Sequence, residues 1–390
     1  MKLLTALIAV AALGLPAAQA SPPATVLGLV YTAGYGNSIV ARYDPLTLAR
    51  SGPRVRLGGN ASSWAWSPRR RYLAVASFPQ RLTIVDVPAM RVVSRVRLAS
   101  GGASVRAVTW VRDRVLGVVE TPRGVVVTAV DPLAGRVVRR TRLSRPFTFE
   151  LGRLPDGLVF LLGTQGRLAP AQIAVVDAEG RTRVATVPQV TVGLEAGSAP
   201  GREQRIPGLA VDPVGRKAYL VDGTRVFTVD LRTLAVTDPG PLRTLAKVSS
   251  GSIRSARWLG NGRLAVSGRD WDSRGASEDI GLRIVDVRDR TARVVDAGAS
   301  TFTVAGRLLF VESAPSRRAL NVTAYGFDGV ERYRLDLSGA TWLKKQSRLG
   351  YACRDAFLRS VVDLRSGRIV KNGFPARTRC PTLLVGDSRG

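Results

Sequence analysis

The chain contains no histidine in 390 residues, and that absence removes more chemistry than any motif adds. Ser-His-Asp and Cys-His nucleophile pairs cannot be assembled, and no metal can be held through imidazole. Cysteine is nearly missing as well: Cys353 and Cys380 are the only two, which leaves no cysteine-histidine metal cluster. Aromatic residues make up 6%, too few for the stacking platforms that single-stranded nucleic acids need. Lysine is confined to Lys2, Lys217, Lys247, Lys344, Lys345 and Lys371. After the N-terminal segment no apolar run reaches the ~18 residues of a transmembrane helix. Nowhere does a helical apolar period persist for three turns, so helices are not expected as the scaffold.

What is present is a repeat. An apolar pair followed by aspartate, or a close variant, returns at Asp44, Asp86, Asp131, Asp177, Asp230, Asp286, Asp328 and Asp363, at separations of 42, 45, 46, 53, 56, 42 and 35 residues. The stretch Leu82–Leu98 shows the unit most clearly, as two strands folded about the acidic turn at Asp86. Segments that read strand, turn, strand precede several of the aspartates, at Trp64–Ala76, Val108–Val119, Leu209–Val221 and Ala256–Ser267. The turn dipeptides Asp156-Gly157 and Asn261-Gly262 supply the positive φ angles that tight hairpins require. Four short strands in about 45 residues fit the blade of a β-propeller better than a sandwich or a β-helix. The expectation is an all-β propeller of about eight four-stranded blades. Because the fifth and sixth units are long, seven blades is the main alternative. The first unit, from Val26 to Leu57, has three strands, and a lone strand, Pro381–Asp387, is left over at the end. Pairing of the two would complete the first blade and close the ring, removing an open edge. The repeated carboxylates are expected to form turns, each accepting hydrogen bonds from N–H groups two or three residues on.

Met1-Lys2, a short apolar segment and Ala18-Gln19-Ala20 have the order of a secretory signal peptide, so residues 1–20 are expected to be removed and 21–390 to form one propeller domain. An uncleaved anchor is the lesser alternative. The mature protein is then secreted or extracytoplasmic, without a transmembrane segment, and monomeric. In an oxidising compartment a Cys353–Cys380 disulfide is the economical reading, with two buried thiols as the other. Loop closure at that spacing would contribute roughly 3–4 kcal/mol in the chain-entropy account. The formal charge is +29 and nearly all of it is arginine. Such charge attracts polyanions, although arginine crowding with much Ala, Gly and Val is also what a GC-rich genome writes on any solvated surface. Arginines alternate in the last strand of several units, at Arg54 and Arg56, Arg95 and Arg97, Arg140 and Arg142, and Arg332 and Arg334. That pattern puts charge on a solvated rim, suited to an anionic envelope surface more than to sequence-specific nucleic acid.

Trp66-Ser67-Pro68 followed by Arg71-Tyr72-Leu73-Ala74-Val75, and Ala210-Val211-Asp212-Pro213 followed by Gly215-Arg216-Lys217-Ala218-Tyr219-Leu220, resemble the x-S-P-D-G-x-x-L/A-Y-V hairpin of WD40-like and YVTN-type propellers. Val362-Asp363 to Val370 is similar to the V-I-D-x-x-T-x-K-V hairpin of the YVTN group. The resemblance covers most of residues 26 to 387 and implies architecture, with little chemistry, because that superfamily runs from enzymes to scaffolds. The Gly-His and Trp-Asp pairs of strict WD40 blades are missing, as are the sialidase Asp-box and the Trp-rich docking repeats of quinoprotein dehydrogenases.

Function is expected where the units depart from the repeat. The first departure is the loop Ser267–Asp279, whose Asp270, Trp271, Asp272, Glu278 and Asp279 form the candidate ligand site. Clustered carboxylates could hold Ca²⁺, the one cofactor in view, but Arg274 and Gly281 at the fifth and twelfth positions break the EF-hand pattern. A solvated loop balancing nearby arginines is the plainer reading. The second departure is the long connection Thr191–Arg205. The leading expectation is an exported, non-enzymatic scaffold that engages an unknown protein or small molecule at one propeller face. The alternatives are a carboxylate- or Ca²⁺-dependent enzyme and an envelope-associated polyanion binder.

Overall fold

The computed structural model describes residues 26–31, 38–100, 104–143, 145, 147–195, 204–238, 240–242, 251–272, 274–316, 319–346, 348–355, 357–375, 378–380 and 382–384. The signal-peptide segment, Gly34, Asn37, Lys247, most of the Thr191–Arg205 connection and the ends of the C-terminal strand lie outside these residues. Among the described residues all regular structure is β-strand, and no helix is long and apolar enough to cross a membrane.

Each unit folds as an antiparallel meander. The second runs Ala61–Trp66, Tyr72–Ser77, Arg81–Asp86 and Arg91–Arg97, hydrogen-bonded in chain order. Its two middle strands are buried along nearly their whole length because other units cover both faces of the sheet. The last strand lies at the outer edge, where Val96 turns inward and Arg95 and Arg97 face solvent. Clusters of apolar side chains fill the spaces between successive units. Val40, Leu57, Leu73 and Val85 join the first to the second, and Leu320, Val322, Ala352 and Val362 join the seventh to the eighth. A further cluster of Leu48, Leu349 and Tyr351 joins the eighth to the first.

Among the described residues six four-stranded sheets stand separately, six blades in place of the eight, or seven, expected. The strands of the fourth and sixth units share a single ten-stranded sheet instead. The reason lies in the two long spacings of the repeat. The fourth unit ends in an overlong strand, Thr182–Glu195, and the sixth has Gly251–Gly260 and Arg263–Trp271. The short strand Gln204–Ile206 pairs with both, Gly193 facing Arg205 on one side and Arg205 facing Ser252 on the other. Backbone added beyond the height of a blade has unpaired N–H and C=O groups, and here each extension satisfies the other.

The ends of the chain meet as expected. Thr382–Leu384 pairs antiparallel with Val26–Tyr31, Leu384 facing Leu27 and Leu383 facing Gly28, and so supplies the fourth strand of the first sheet. Cys380, just ahead of this strand, is bonded to Cys353 of the eighth unit, with Cα atoms 6.2 Å apart. The Leu358 N–H donates to the Thr378 carbonyl at 2.8 Å, which fastens the same segment to the eighth sheet.

All eight repeated aspartates are turn formers. Asp44 accepts from the N–H groups of Leu46 and Thr47, Asp86 from Ala89, Asp131 from Ala134 and Asp177 from Glu179 and Arg181. Asp230 accepts from Arg232 and Thr233, Asp286 from Arg288 and Asp289, Asp328 from Val330 and Asp363 from Arg365 and Ser366. These turns also fasten the units together, because a side chain of the preceding unit donates to a carbonyl of the turn. Arg42 reaches Val87 at 2.7 Å, Ser94 reaches Pro132 at 2.6 Å, Thr141 reaches Gly180 at 2.5 Å and Arg183 reaches Leu231 at 2.7 Å. Arg293 bonds Asp328, Tyr333 bonds Leu364, and Tyr351 reaches Pro45 at 3.0 Å. Between the fifth and sixth units the direction reverses, Arg290 donating to Pro241 at 3.2 Å.

The turn N–H groups hold Asp44, Asp131, Asp230 and Asp328 below the ordinary aspartate value. Asp363 is lowered too, burial being outweighed by the Arg365 N–H and the Arg348 side chain. A carboxylate with a lowered pKa contributes stability above its unfolded value and loses it as pH falls through the folded one. The urea midpoint is therefore expected to hold between neutral pH and about pH 4 and to fall steeply below it. A midpoint unchanged in acid would show that the turns carry no linked stability.

Candidate functional site

The two departures from the repeat come together in the ten-stranded sheet. In a meander the first and third turns lie at one end and the second at the other, so the aspartate turns share one face of the ring. Gln204–Ile206, the hairpin Arg263–Trp271 with Ser277–Asp279, and the turn at Asp222-Gly223 all lie on the opposite face. The parallel pairing of Gln204–Ile206 with Gly251–Gly260 carries the fourth unit's extension past the fifth unit to the sixth.

At the centre of this junction is Arg254, 2% exposed. Its Nη2 donates to Asp270 Oδ1 at 2.7 Å, and its Nη1 donates to the carbonyls of Ile253 and Arg269 at 3.1 and 3.2 Å. Gly268 stands opposite Arg254 in the register, and a Cβ there would lie 2.0 Å from the Ile253 carbonyl oxygen. Glycine thus lets the two strands approach where the guanidinium is enclosed. Burial raises the pKa of Asp222 on the adjoining fifth unit, while Arg205 and Arg254 act in the opposite direction. The result is a charged group of Arg205, Asp222, Arg254 and Asp270 drawn from the connection, the fifth unit and the sixth.

The five candidate residues occupy one hairpin with separate tasks. Asp270 pairs with Arg254, and Asp279 takes Arg269 at 2.8 Å. Asp272 forms the tip, accepting from the N–H groups of Arg274 and Ala276 at 2.8 and 2.9 Å. Trp271 and Glu278 face Ser277 and Asp270 across the hairpin. Among the described residues no three Asp, Glu, Cys or His side chains are grouped as metal ligands.

A second charged group lies toward the axis of the ring, on the first strands of the units. Arg257 of the sixth unit approaches Glu150 of the fourth at 3.9 Å, in front of the fifth unit's first strand. Burial raises the pKa of Glu150, and Arg257 and Arg106 oppose it. Lys344, on the eighth unit's first strand, is lowered by burial. Sequence reading missed Asp222, Arg254, Glu150 and Arg257, and reached Arg205 only as the end of the Thr191–Arg205 connection. The one available signal was charge within strands that are otherwise apolar, as at Arg254 in Gly251–Gly260 and Glu150 in Phe147–Leu154. The pairings themselves leave no local trace, since Glu150 and Arg257 meet only through the ring.

The chain matches no protein-family signature and no curated protein sequence. Among solved structures it is similar to dihydro-heme d1 dehydrogenase NirN in complex with DHE, at 14% identity and a TM-score of 0.60, over 95% of this chain and 77% of that one. It is also similar to the computationally designed Ika8 protein, at 10% identity and a TM-score of 0.50, over 89% and 96%. For BamB from Moraxella catarrhalis the identity is 16% and the TM-score 0.49, over 83% and 92%. Likeness at such identities is likeness of fold, and it accords with the β-propeller.

Proposed function

We propose that the mature protein is an exported β-propeller scaffold that engages a protein or small-molecule partner on the face formed by residues 182–195, 204–206, 263–272 and 274–279. One observation carries this reading: the two longest additions to the repeat are joined in one sheet around the buried Arg254. Neither addition is needed to complete a meander, since the second, third and eighth units form theirs without one. Extended backbone held at a fixed place offers an edge and a row of side chains for recognition. Export accords with residues 1–20 and with the Cys353–Cys380 bond, which persists in oxidising compartments. At Glu150 and Asp222 burial outweighs the neighbouring arginines and raises both carboxyl pKa values, so the enzyme reading is tested at Asp222.

The test places a photo-crosslinking residue at Glu278 on this face or at Leu133, exposed in an aspartate turn on the other face, in the full-length protein expressed in its own exported compartment. A discrete adduct from position 278 and none from 133 is expected. Equal adducts, or none from either, would remove the support for a partner face here. Turnover of a sugar, lactone or peptide substrate that Asp222→Asn abolishes would replace the scaffold with an enzyme.

A further inference from the structure

A cleft of about 700 Å³ opens between the outer strands of the second and third units, and its wall carries Arg97, Arg123, Arg140 and Arg142 beside Ser100 and Thr121. All four arginines are exposed. Two are oriented by main chain: Arg97 Nε donates to the Ala99 carbonyl at 3.1 Å, and Arg140 donates to the carbonyls of Arg97 and Leu98 at 3.0 and 3.3 Å. Among the described residues, the side chains of Arg123 and Arg142 have no partner, and no carboxylate lines the cleft.

The cause is visible in the chain. From Arg91 to Arg145 there are twelve arginines, no lysine and only three carboxylates, Asp113, Glu120 and Asp131. All three are engaged elsewhere: Asp113 and Asp131 lie 2.8 and 3.4 Å from Arg114, and Glu120 accepts from the Thr148 N–H at 3.4 Å. The seventh unit shows the contrast. There Arg332 and Arg334, also on an outer strand, are paired with Asp328 and Glu331 at 2.6 and 2.7 Å. Rim charge is neutralised locally on that side of the ring and left whole on this one.

We propose that this cleft binds a ligand bearing two or more phosphate-type oxyanions. Four cations converge where a single monoanion could not neutralise them. Guanidinium forks match the geometry of phosphate oxygens, and an uncompensated positive wall gathers anions from a distance. Anchoring of Arg97 and Arg140 by carbonyls lowers the ordering cost of a bound anion. The site is separate from the face formed by the fourth and sixth units and stands whether or not that face has a partner.

Calorimetry on the full mature protein at low salt, with tripolyphosphate, pyrophosphate and inorganic phosphate, tests it. Affinity is expected to fall in that order. The double variant Arg123→Gln/Arg142→Gln should weaken tripolyphosphate binding about tenfold or more, while Arg332→Gln/Arg334→Gln, which removes the same charge from the seventh unit, leaves it within about twofold. Melting curves check that both variants fold. Equal losses in the two variants, no preference over inorganic phosphate, or no binding would overturn the proposal. Vesicles containing phosphatidylglycerol distinguish the source of the phosphate groups. Cosedimentation that tripolyphosphate and the first double variant both abolish assigns the cleft to lipid headgroups, and its absence assigns it to a soluble ligand.

Discussion

Removal of residues 381–390 is expected to leave a protein that unfolds at much lower urea concentration and associates through its first sheet. The deleted strand is the inner neighbour of Val26–Tyr31, paired at Leu27, Gly28 and Leu29. Each hydrogen bond of that short ladder contributes about 1 kcal/mol, so its loss alone costs about 2–4 kcal/mol. The larger consequence is topological. The first sheet would hold three strands and an open edge, the arrangement that pairs with other chains. Cys353–Cys380 survives the truncation and keeps the end of the chain near the eighth sheet, so any loss reports the missing strand. A synthetic peptide of residues 381–390 added in trans should restore part of the stability by adding back the strand. A truncated protein that stays monomeric with an unchanged urea midpoint would show that the terminal pairing is dispensable.

Arg254→Ala is expected to cost about 3–5 kcal/mol at neutral pH, the range for removing one partner of a buried ion pair. The variant strips Asp270 of its 2.7 Å partner and Asp222 of one of the two arginines that oppose its desolvation. Asp222 has a raised pKa in the wild type, so it contributes stability below its unfolded value and loses it as pH rises through the folded one. Without Arg254 that loss deepens, and the gap between variant and wild type should narrow as Asp222 is protonated in acid. Arg254→Lys keeps the charge without the fork that reaches Asp270 and two carbonyls together, and should recover part of the loss. A cost below about 1 kcal/mol by urea unfolding would mean that the charged junction is solvated and weak.

The particular elements legible in the sequence were those with short-range causes. Asp86 and its seven counterparts read as turn formers because the bonds run to residues two to four positions away. The lone C-terminal strand and the three-stranded first unit pointed to each other because each was incomplete. The Cys353–Cys380 bond was the economical reading of the only two cysteines in an exported chain, with two buried thiols the alternative, and the structure has the bond. The count of separate blades did not follow. The spacings of 53 and 56 residues signalled extra chain, but not that the additions would pair with each other. The rim arginines were read correctly as exposed, yet Arg95 and Arg140 also bond the carbonyls of neighbouring units, a role that alternation along a strand does not display.

By itself, the sequence determined an all-β propeller of repeated meanders, its turns, the pairing of its end strands and the exclusion of histidine chemistry. These depend on local hydrogen bonding, on two-residue periodicity and on which residue types exist at all. Tertiary structure alone decided that the additions of the fourth and sixth units share a sheet, that Arg254 stands between Asp270 and Asp222, that Glu150 meets Arg257, and that four arginines of the second and third units surround one cleft. Such groups form between residues many positions apart whose proximity is set by how successive units pack. The repeat specifies that each unit follows the last, and only the packing of the units specifies what faces what.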